Sequence, residues 1–584
     1  MSFISNIVPY LGNIKQAKYS GKRYIKSEFD GLKDRFSVSR RYDVTGKERI
    51  QKAFRCESTD HVPWVPFVGS HGGALLKISA KEYLKSSDAI VKGIREAILR
   101  YQPDGIPVMF DLQVEAELLG CDLKWAEENP PAVVSHPLSN GTTLEQLKIP
   151  APDQGRIQIA LNAAVQLREE YPDIALYGLV TGPFTLALHL YGTDLFTQMF
   201  DDASYVKKVL EFCSLVSEAM SRYYIEAGCD VIALVDPMTS QIGPDQFVEF
   251  VTPSAKQIFE SIREQGALSS FFVCGHAQQN IRVMCECGPD NISIDENIPL
   301  DYVRDECLKR NISFGGNLQL TSVLLLGNEI DAQKNAVACM EIAGEKGFIL
   351  APGCDLPYAT PVKNLEAISH VVRDSYKRQV VKTLASEPAE KDQLDMQEYG
   401  QANKVIVDII TLDSEACAPC QYMVDAVKKV AKEFEGIVEW REHKIKYRES
   451  IVFMTSLMVH NVPTICIDGQ ITFVSRIPPL DELIASIQKR INEKFRMRIY
   501  QRKAFLYILD GGSSDCTEIQ ERIGQAVREL GAEIQVETIH DKDTIHSYGI
   551  SCTQTPAIVM AQYRLKSVKQ IPEVAVIKEW LKNI

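Results

Sequence analysis

Ser270-Phe271-Phe272-Val273-Cys274 is a run with no charged residue, too apolar for a strand that keeps one face in water. A strand of this kind is covered on both faces, as in a parallel sheet packed beneath helices. Similar runs recur at 62–68, 105–110, 174–180, 231–235, 291–295, 312–316 and 347–351. Amphipathic stretches separate them, for example 203–226 and 253–265. Strand and helix thus alternate eight times over roughly 340 residues, which predicts an α/β fold, a (β/α)8 TIM barrel spanning 44–382. Asn129-Pro130-Pro131 falls in extra sequence after the second run and reads as an insertion.

Barrels of this kind keep their chemistry at the C-terminal ends of the strands. Those ends read, in order, His71, Asp111, Thr181-Gly182, Asp236, Cys274 with His276, Asp295-Glu296, Asn317 and Cys354-Asp355. Cys274 and Cys354 are far apart in the chain, yet each follows an apolar run, so one closed sheet brings both thiols to one mouth. Two thiols with His276 beside the first, and Glu296 as an oxygen donor, make a donor set suited to Zn2+. A free thiol is mostly protonated at neutral pH, whereas coordination to zinc deprotonates it, and three protein ligands leave a fourth position for a substrate sulfur. The alternative is that both cysteines are small core residues. Cys285-Glu286-Cys287 falls on the next helical stretch and reads as structural.

The chain has 584 residues, too many for one core, with 45% hydrophobic and 24% charged residues, as in ordinary globular proteins. A net charge of −13 argues against a nucleic-acid binder, which normally shows a basic face. No apolar run approaches the ~20 residues of a membrane span. The N-terminal extension, 1–43, carries Lys15, Lys18, Lys22, Arg23 and Lys26 without the apolar segment of a secretory signal. Fifteen scattered cysteines fit a reducing cytoplasm.

Composition shifts at 383–403, where Ser386-Glu387-Pro388-Ala389-Glu390-Lys391-Asp392 reads as a linker. Beyond it, strand 404–412 leads into Cys417-Ala418-Pro419-Cys420 and a helical pattern over 423–434. Strand 438–445, Val462-Pro463-Thr464 and a helix over 480–492 complete a small α/β unit, 404–496. The plan repeats over 501–584: strand 504–509, Ser513 and Cys516, helix 516–530, strand 533–537, Cys552, Thr555-Pro556 and helix 572–581.

The barrel region resembles the uroporphyrinogen decarboxylase superfamily, specifically its methylcobamide:thiol (coenzyme M-type) methyltransferase branch. The segments that carry the likeness are Lys47-Glu48-Arg49-Ile50 with Asp60-His61-Val62-Pro63, Phe110-Asp111-Leu112-Gln113-Val114-Glu115-Ala116, Gly182-Pro183-Phe184-Thr185, Cys274-Gly275 and Pro352-Gly353-Cys354-Asp355. The likeness implies zinc held by a His-x-Cys on the fifth strand and a Cys after the eighth. Cys274 and Cys354 match those cysteines, while Phe272 stands where the histidine belongs, so His276 or Glu296 would have to substitute. It also implies that Asp111, the superfamily's pyrrole-binding aspartate, places the substrate; the strand-end residues His71, Asp236 and Asn317, with His189, are further binding candidates. The decarboxylase activity is disfavoured: the loop Gly69-Ser70-His71-Gly72-Gly73 lacks its propionate-binding arginines, and His189 replaces a tyrosine.

The tail resembles the thioredoxin family, through Cys417 and Cys420 opening a helix after a strand and through Pro463 in a cis-proline position. That likeness implies a redox disulfide, with Cys417 attacking and Cys420 resolving. The last unit resembles a degenerate copy, with Ser513 for the first cysteine and Pro556 for the cis-proline. The expected function is a zinc-dependent methyltransferase moving methyl from a methylcorrinoid, carried by a partner corrinoid protein, to a small thiol. The fused module would draw on a thiol–disulfide reductant. The alternatives are a folate-type acceptor, or a substrate-binding barrel carrying a disulfide reductase.

Overall fold

The computed structural model describes residues 44–383, 399 and 404–582, except 276, 416, 460, 504, 513–514, 532–533, 549 and 561–563. The N-terminal extension, most of the expected linker, His276 and Ser513 therefore lie outside the described residues. The chain divides into two units, 1–387 and 388–584.

In the first unit, β1 (Gly105–Pro107), β4 (Ala175–Thr181), β5 (Val231–Val235), β6 (Leu268–Val273), β7 (Asn291–Ile294), β8 (Ser313–Leu318) and β9 (Phe348–Pro352) form one parallel sheet in that spatial order. The insertion contains a two-stranded antiparallel ribbon, β2 (Leu123–Lys124) with β3 (Ala132–Val133). The expected strand at 62–68 is an extended segment with one parallel bridge, Trp64 to Leu350. Pro63 and Pro66 have no N–H to give a ladder, so only part of the pairing survives. Leu350 N–H donates to Pro63 O at 2.9 Å, Val65 N–H to Leu350 O at 3.0 Å, and Asp104 N–H to Trp64 O at 2.9 Å. The segment thus joins β9 to the start of β1 and closes a TIM-barrel-like α/β fold.

Side chains compensate for the broken ladder. Buried Arg49 grips Asp60 through Nε (2.6 Å) and Nη2 (2.8 Å) and Asp104 through Nη1 (2.6 Å), while Asp104 Oδ2 accepts from Trp64 N–H at 2.8 Å. Bidentate pairing of this kind fixes geometry as well as charge. Thr45 caps the helix Gly46–Phe54 that presents Arg49, in a reciprocal box with Glu48. Inside the barrel Phe67, Phe110 and Phe272 form an aromatic layer, with Phe272 at 4.9 Å from Phe67 and 6.0 Å from Phe110 between ring centroids. Edge and tilted contacts of this type add about 0.5–1.5 kcal/mol each beyond burial. Leu112, Cys274 and Cys354 pack against the core cluster that contains this layer.

The second unit holds two four-stranded sheets with one topology. β10 (Val405–Thr411) pairs parallel with β11 (Val438–Lys444) and antiparallel with β12 (Thr464–Ile467), and β13 (Gln470–Val474) pairs antiparallel with β12. β14 (Phe505–Leu509), β15 (Gln535–Ile539), β16 (Ala557–Met560) and β17 (Arg564–Val568) repeat that order and those directions. Helices Ala418–Ala431 and Cys516–Leu530 follow the first strand of each set. The helix expected over 480–492 runs Leu480–Lys503 instead. No Gly or Pro interrupts it, and Arg490 (2.9 Å) and Lys494 (2.9 Å) both bind buried Asp468, which anchors the later turns. Arg448–Ser456, Lys542–Ser547 and β17 have no counterpart among the elements expected from sequence. Among the described residues no helix is long and apolar enough to cross a membrane.

Candidate active site

The barrel brings Cys274 and Cys354 together, with their Sγ atoms 2.9 Å apart at the ends of β6 and β9. Both thiols are partly buried. The Cys274 thiol is pushed well up, first by its hydrogen bond with Cys354, then by burial and by the charges of Cys354, Asp295 and Glu296. Glu296, past the end of β7, accepts from Leu320 N–H through Oε1 at 3.1 Å, while its Oε2 is buried with no hydrogen-bond partner. Burial, then the neighbouring Asp295, push the Glu296 carboxyl up to about 8. Asp295 is held in place by Gly275 N–H and by Asn297 N–H at 3.0 Å, and burial raises it to about 6.

Gly353 carries this convergence. A Cβ there would run into Glu296 Oε2, so only glycine lets the backbone before Cys354 pass the carboxylate. Two hydrogen-bonded thiols that also feel the Asp295 and Glu296 charges are hard to ionise unaided, and a cation reverses that penalty. The donor chemistry, two sulfurs and one unmet carboxylate oxygen, fits a zinc ion. Yet among the described residues no three His, Cys, Asp or Glu side chains stand in a ready-made metal-holding group. Phe272 is fully buried in the aromatic layer and takes no part.

The other expected site residues are tied into the protein. Asp111 Oδ2 is bound by Arg156 Nη1 and Oδ1 accepts from Gln113 N–H at 2.8 Å, so it is an ion-pair partner, not an unencumbered acid. His71 has both ring nitrogens engaged, Nδ1 with Tyr358 O (3.0 Å) and Nε2 with Tyr101 Oη (2.7 Å), and burial pulls it down to about 4. That leaves no ring nitrogen of His71 for a substrate. Asp236 anchors the start of helix Pro183–Tyr191, accepting from Thr185 N–H (2.8 Å), Thr185 Oγ1 (2.6 Å) and Phe184 N–H (3.1 Å). Burial lifts it to about 6. Its carboxylate therefore faces a helix N-terminus, where an anion belongs, and not a ligand. His189 lies buried on the same helix, and burial, then His136, push it down to about 3. Asn317 donates through Nδ2 to Ile298 O (2.9 Å) and Asp295 O (3.3 Å), which positions the segment that carries Glu296.

Sequence reasoning misses Arg156 because it lies far from Asp111 in the chain, on the first turn of helix Gly155–Glu170. Only the closed fold brings the two together. Cys285 and Cys287 are buried on and just after helix Ile281–Glu286, as their spacing suggests.

In the second unit Cys417 and Cys420 form a disulfide with Cα atoms 5.2 Å apart. Cys417 sits at the N-cap of helix Ala418–Ala431, and its Sγ accepts from Cys420 N–H at 3.4 Å. The Val462-Pro463 and Thr555-Pro556 bonds are cis. Cys516 opens its helix and Cys552 opens the short turn Cys552–Gln554 before Thr555, both as free thiols.

A methylcobamide:CoM methyltransferase, MtbA, of Methanosarcina acetivorans is 27% identical over 333 residues, covering 56% of this chain and 96% of that protein. A methylcobamide:CoM methyltransferase, MtaA, of Methanosarcina barkeri is 28% identical over 297 residues, covering 48% and 83%. The solved structure of a methyltransferase from Methanosarcina mazei, 23% identical, superposes with a TM-score of 0.53 over 57% of this chain and all of that one, which supports the fold. Residues 45–375 match the uroporphyrinogen decarboxylase (URO-D) family profile, and the chain, with its parallel barrel and the two thiols at its mouth, belongs to that family.

Proposed function

We propose that the barrel transfers a methyl group from a methylcorrinoid to a thiol, at a zinc site made by Cys274, Cys354 and Glu296, with His276 as a further donor candidate. The observation that carries this reading is the 2.9 Å approach of the two thiols, with the unmet Glu296 Oε2 packed against Gly353, the residue before Cys354. Kinship with methylcobamide:CoM methyltransferases supports both the donor and the class of acceptor. Zinc, when bound, would hold the acceptor sulfur as a thiolate at neutral pH. The residues of this chain do the rest. Cys274 and Cys354 supply sulfur donors, Gly353 admits Glu296, and Asn317 and Asp295 hold the loops around them. Phe67, Phe110 and Phe272 belong to the apolar cluster on which both cysteines pack, and that cluster would shield the thiols from water on its side. In the reaction methyl passes from cobalt to sulfur, the cobalt–carbon electron pair stays with cobalt, and the thiol proton leaves to solvent. Asp111, paired with Arg156, serves placement and not proton transfer.

The test is spectral: the purified protein is mixed with methylcobalamin and a series of small thiols. Conversion of the methylcorrinoid to its cob(I) form, dependent on thiol, is expected. Absence of conversion with every thiol, alongside decarboxylation of uroporphyrinogen, would reverse the assignment. Buried Phe272 favours a second reading in which the acceptor is folate-like and no metal is used. Methyl transfer by metal-free protein to a folate acceptor is its signature.

For the second unit we infer a thioredoxin-like redox role. The support is a disulfide at a helix N-terminus and a strand order that occurs twice. Thiolate character at Cys417 is favoured by the helix N-terminus. In the last half, burial and then Asp510 push the Cys516 thiol up to about 11, which suits a binding role better than a dithiol cycle. A thiol–disulfide reductant in a reducing cytoplasm would keep the thirteen free cysteines reduced and recharge the Cys417–Cys420 pair.

A further inference from the structure

Two buried polar atoms beside Asp111 have no hydrogen-bond partner: Nη2 of Arg156 and Oε1 of Gln113. Both residues are fixed on Asp111, one through its guanidinium and the other through its backbone N–H at 2.8 Å. Arg156 is 5% exposed, its Nε donates to Glu117 at 2.6 Å, and its guanidinium lies 4.9 Å from the Trp125 ring centroid. The guanidinium is thus oriented on three sides and keeps Nη2 in reserve. Gln113 precedes the short helix Val114–Leu118, yet its side chain does not cap it. Unmet buried donors and acceptors are rare in folded proteins and mark places where a ligand or ordered water completes the bonding.

The reserve consists of one donor and one acceptor, and this composition is selective. Asp111 and Glu117 together already outweigh the charge of Arg156, so a carboxylate entering here meets an excess of negative charge and the Gln113 oxygen. A primary carboxamide has the opposite fit: its carbonyl accepts from Nη2 and its NH2 donates to Oε1. Leu112, between Asp111 and Gln113, packs against the same barrel core cluster as Cys274 and Cys354. Corrin rings carry carboxamides around their rim, whereas uroporphyrinogen carries carboxylates.

Resting on the corrinoid reading above, we propose that Arg156 and Gln113 bind a peripheral carboxamide of the corrin ring, positioning the macrocycle at the mouth that holds Cys274 and Cys354 and rejecting rims of carboxylates. Neither residue touches the methyl group. They are positioning residues, and the readout is a dissociation constant instead of a rate.

The experiment titrates methylcobalamin into the full-length protein, Gln113→Met and Arg156→Lys, following the corrin absorbance. A second arm titrates the wild type with a corrinoid whose rim amides have been hydrolysed to carboxylates. Methylcobalamin binding is expected to weaken about tenfold in each variant, as for the loss of one hydrogen bond to a charged or buried partner. The hydrolysed corrinoid is expected to bind the wild type at least tenfold more weakly than methylcobalamin. Unchanged affinity in both variants, or equal binding of the two corrinoids by the wild type, overturns the carboxamide site and leaves the methyl-donor reading standing. A wild type that binds no corrinoid overturns both. The second arm uses unaltered protein, so the outcome does not depend on a variant that fails to fold.

Discussion

At Gly353 the space for a side chain is already taken by Glu296 Oε2, with the Asp295 Cα next at 2.9 Å. Gly353→Ala should therefore push the Glu296 carboxylate away from the two thiols while leaving both cysteines in the chain. Competition with a chromogenic chelator should show zinc affinity reduced at least tenfold, with the far-ultraviolet spectrum unchanged. Unaltered zinc affinity would remove Glu296 from the donor set and return the third position to His276. The two cysteines are legible in the sequence because each follows an apolar strand, and Glu296 is legible for the same reason. Phe272 stands out there as a departure from the related pattern, and burial of that ring in the aromatic layer explains why it is no ligand. Place at a strand end marks His71 and Asp236 as site residues, and Asp111 is marked by its motif as well. Their partners, Tyr101, Arg156 and Thr185, come from distant segments that no local pattern connects.

At the scale of elements, Asp236 shows how a strand end can serve a neighbouring helix. Its carboxyl titrates at about 6 in the fold because burial opposes the charge, against 3.8 for an ordinary aspartate. A raised carboxyl favours the protonated folded state. Its contribution is whole below about pH 4 and is lost as pH rises through about 6. By linkage the loss amounts to about 3 kcal/mol. Urea unfolding at pH values of about 4.5 and 7.5 should show this decline in the wild type and a flatter profile in Asp236→Asn. An equal pH dependence in both proteins would mean that the N–H groups of helix Pro183–Tyr191 fully offset the burial. The strands themselves are legible wherever apolar runs are uninterrupted, and β5 begins and ends where the pattern places it. Legibility fails at 62–68, where two prolines break the ladder and Arg49 supplies the missing hold, and at Leu480–Lys503, whose length is fixed by ion pairs to Asp468.

Across the whole molecule, the family match ends at residue 375 and the second unit begins at 388. The tail is thus an addition to a barrel whose relatives include methylcobamide:CoM methyltransferases. A thiol acceptor must be reduced before it can be methylated, and a tethered dithiol acts at high effective concentration. Cys420→Ser should trap a mixed disulfide on Cys417, identifiable by mass spectrometry of peptides from protein incubated with oxidised thiol. If Cys417→Ser leaves methyl transfer unchanged after oxidative challenge and in limiting reductant, the tail does not serve the barrel. The proposed chemistry rests above all on a metal held by two thiols at the mouth of the barrel, and elemental analysis of the purified protein decides that point. About one zinc per chain is expected in the wild type, with most of it lost in Cys354→Ala. Full zinc occupancy in the Cys274→Ala, Cys354→Ala double variant would refute the metal site.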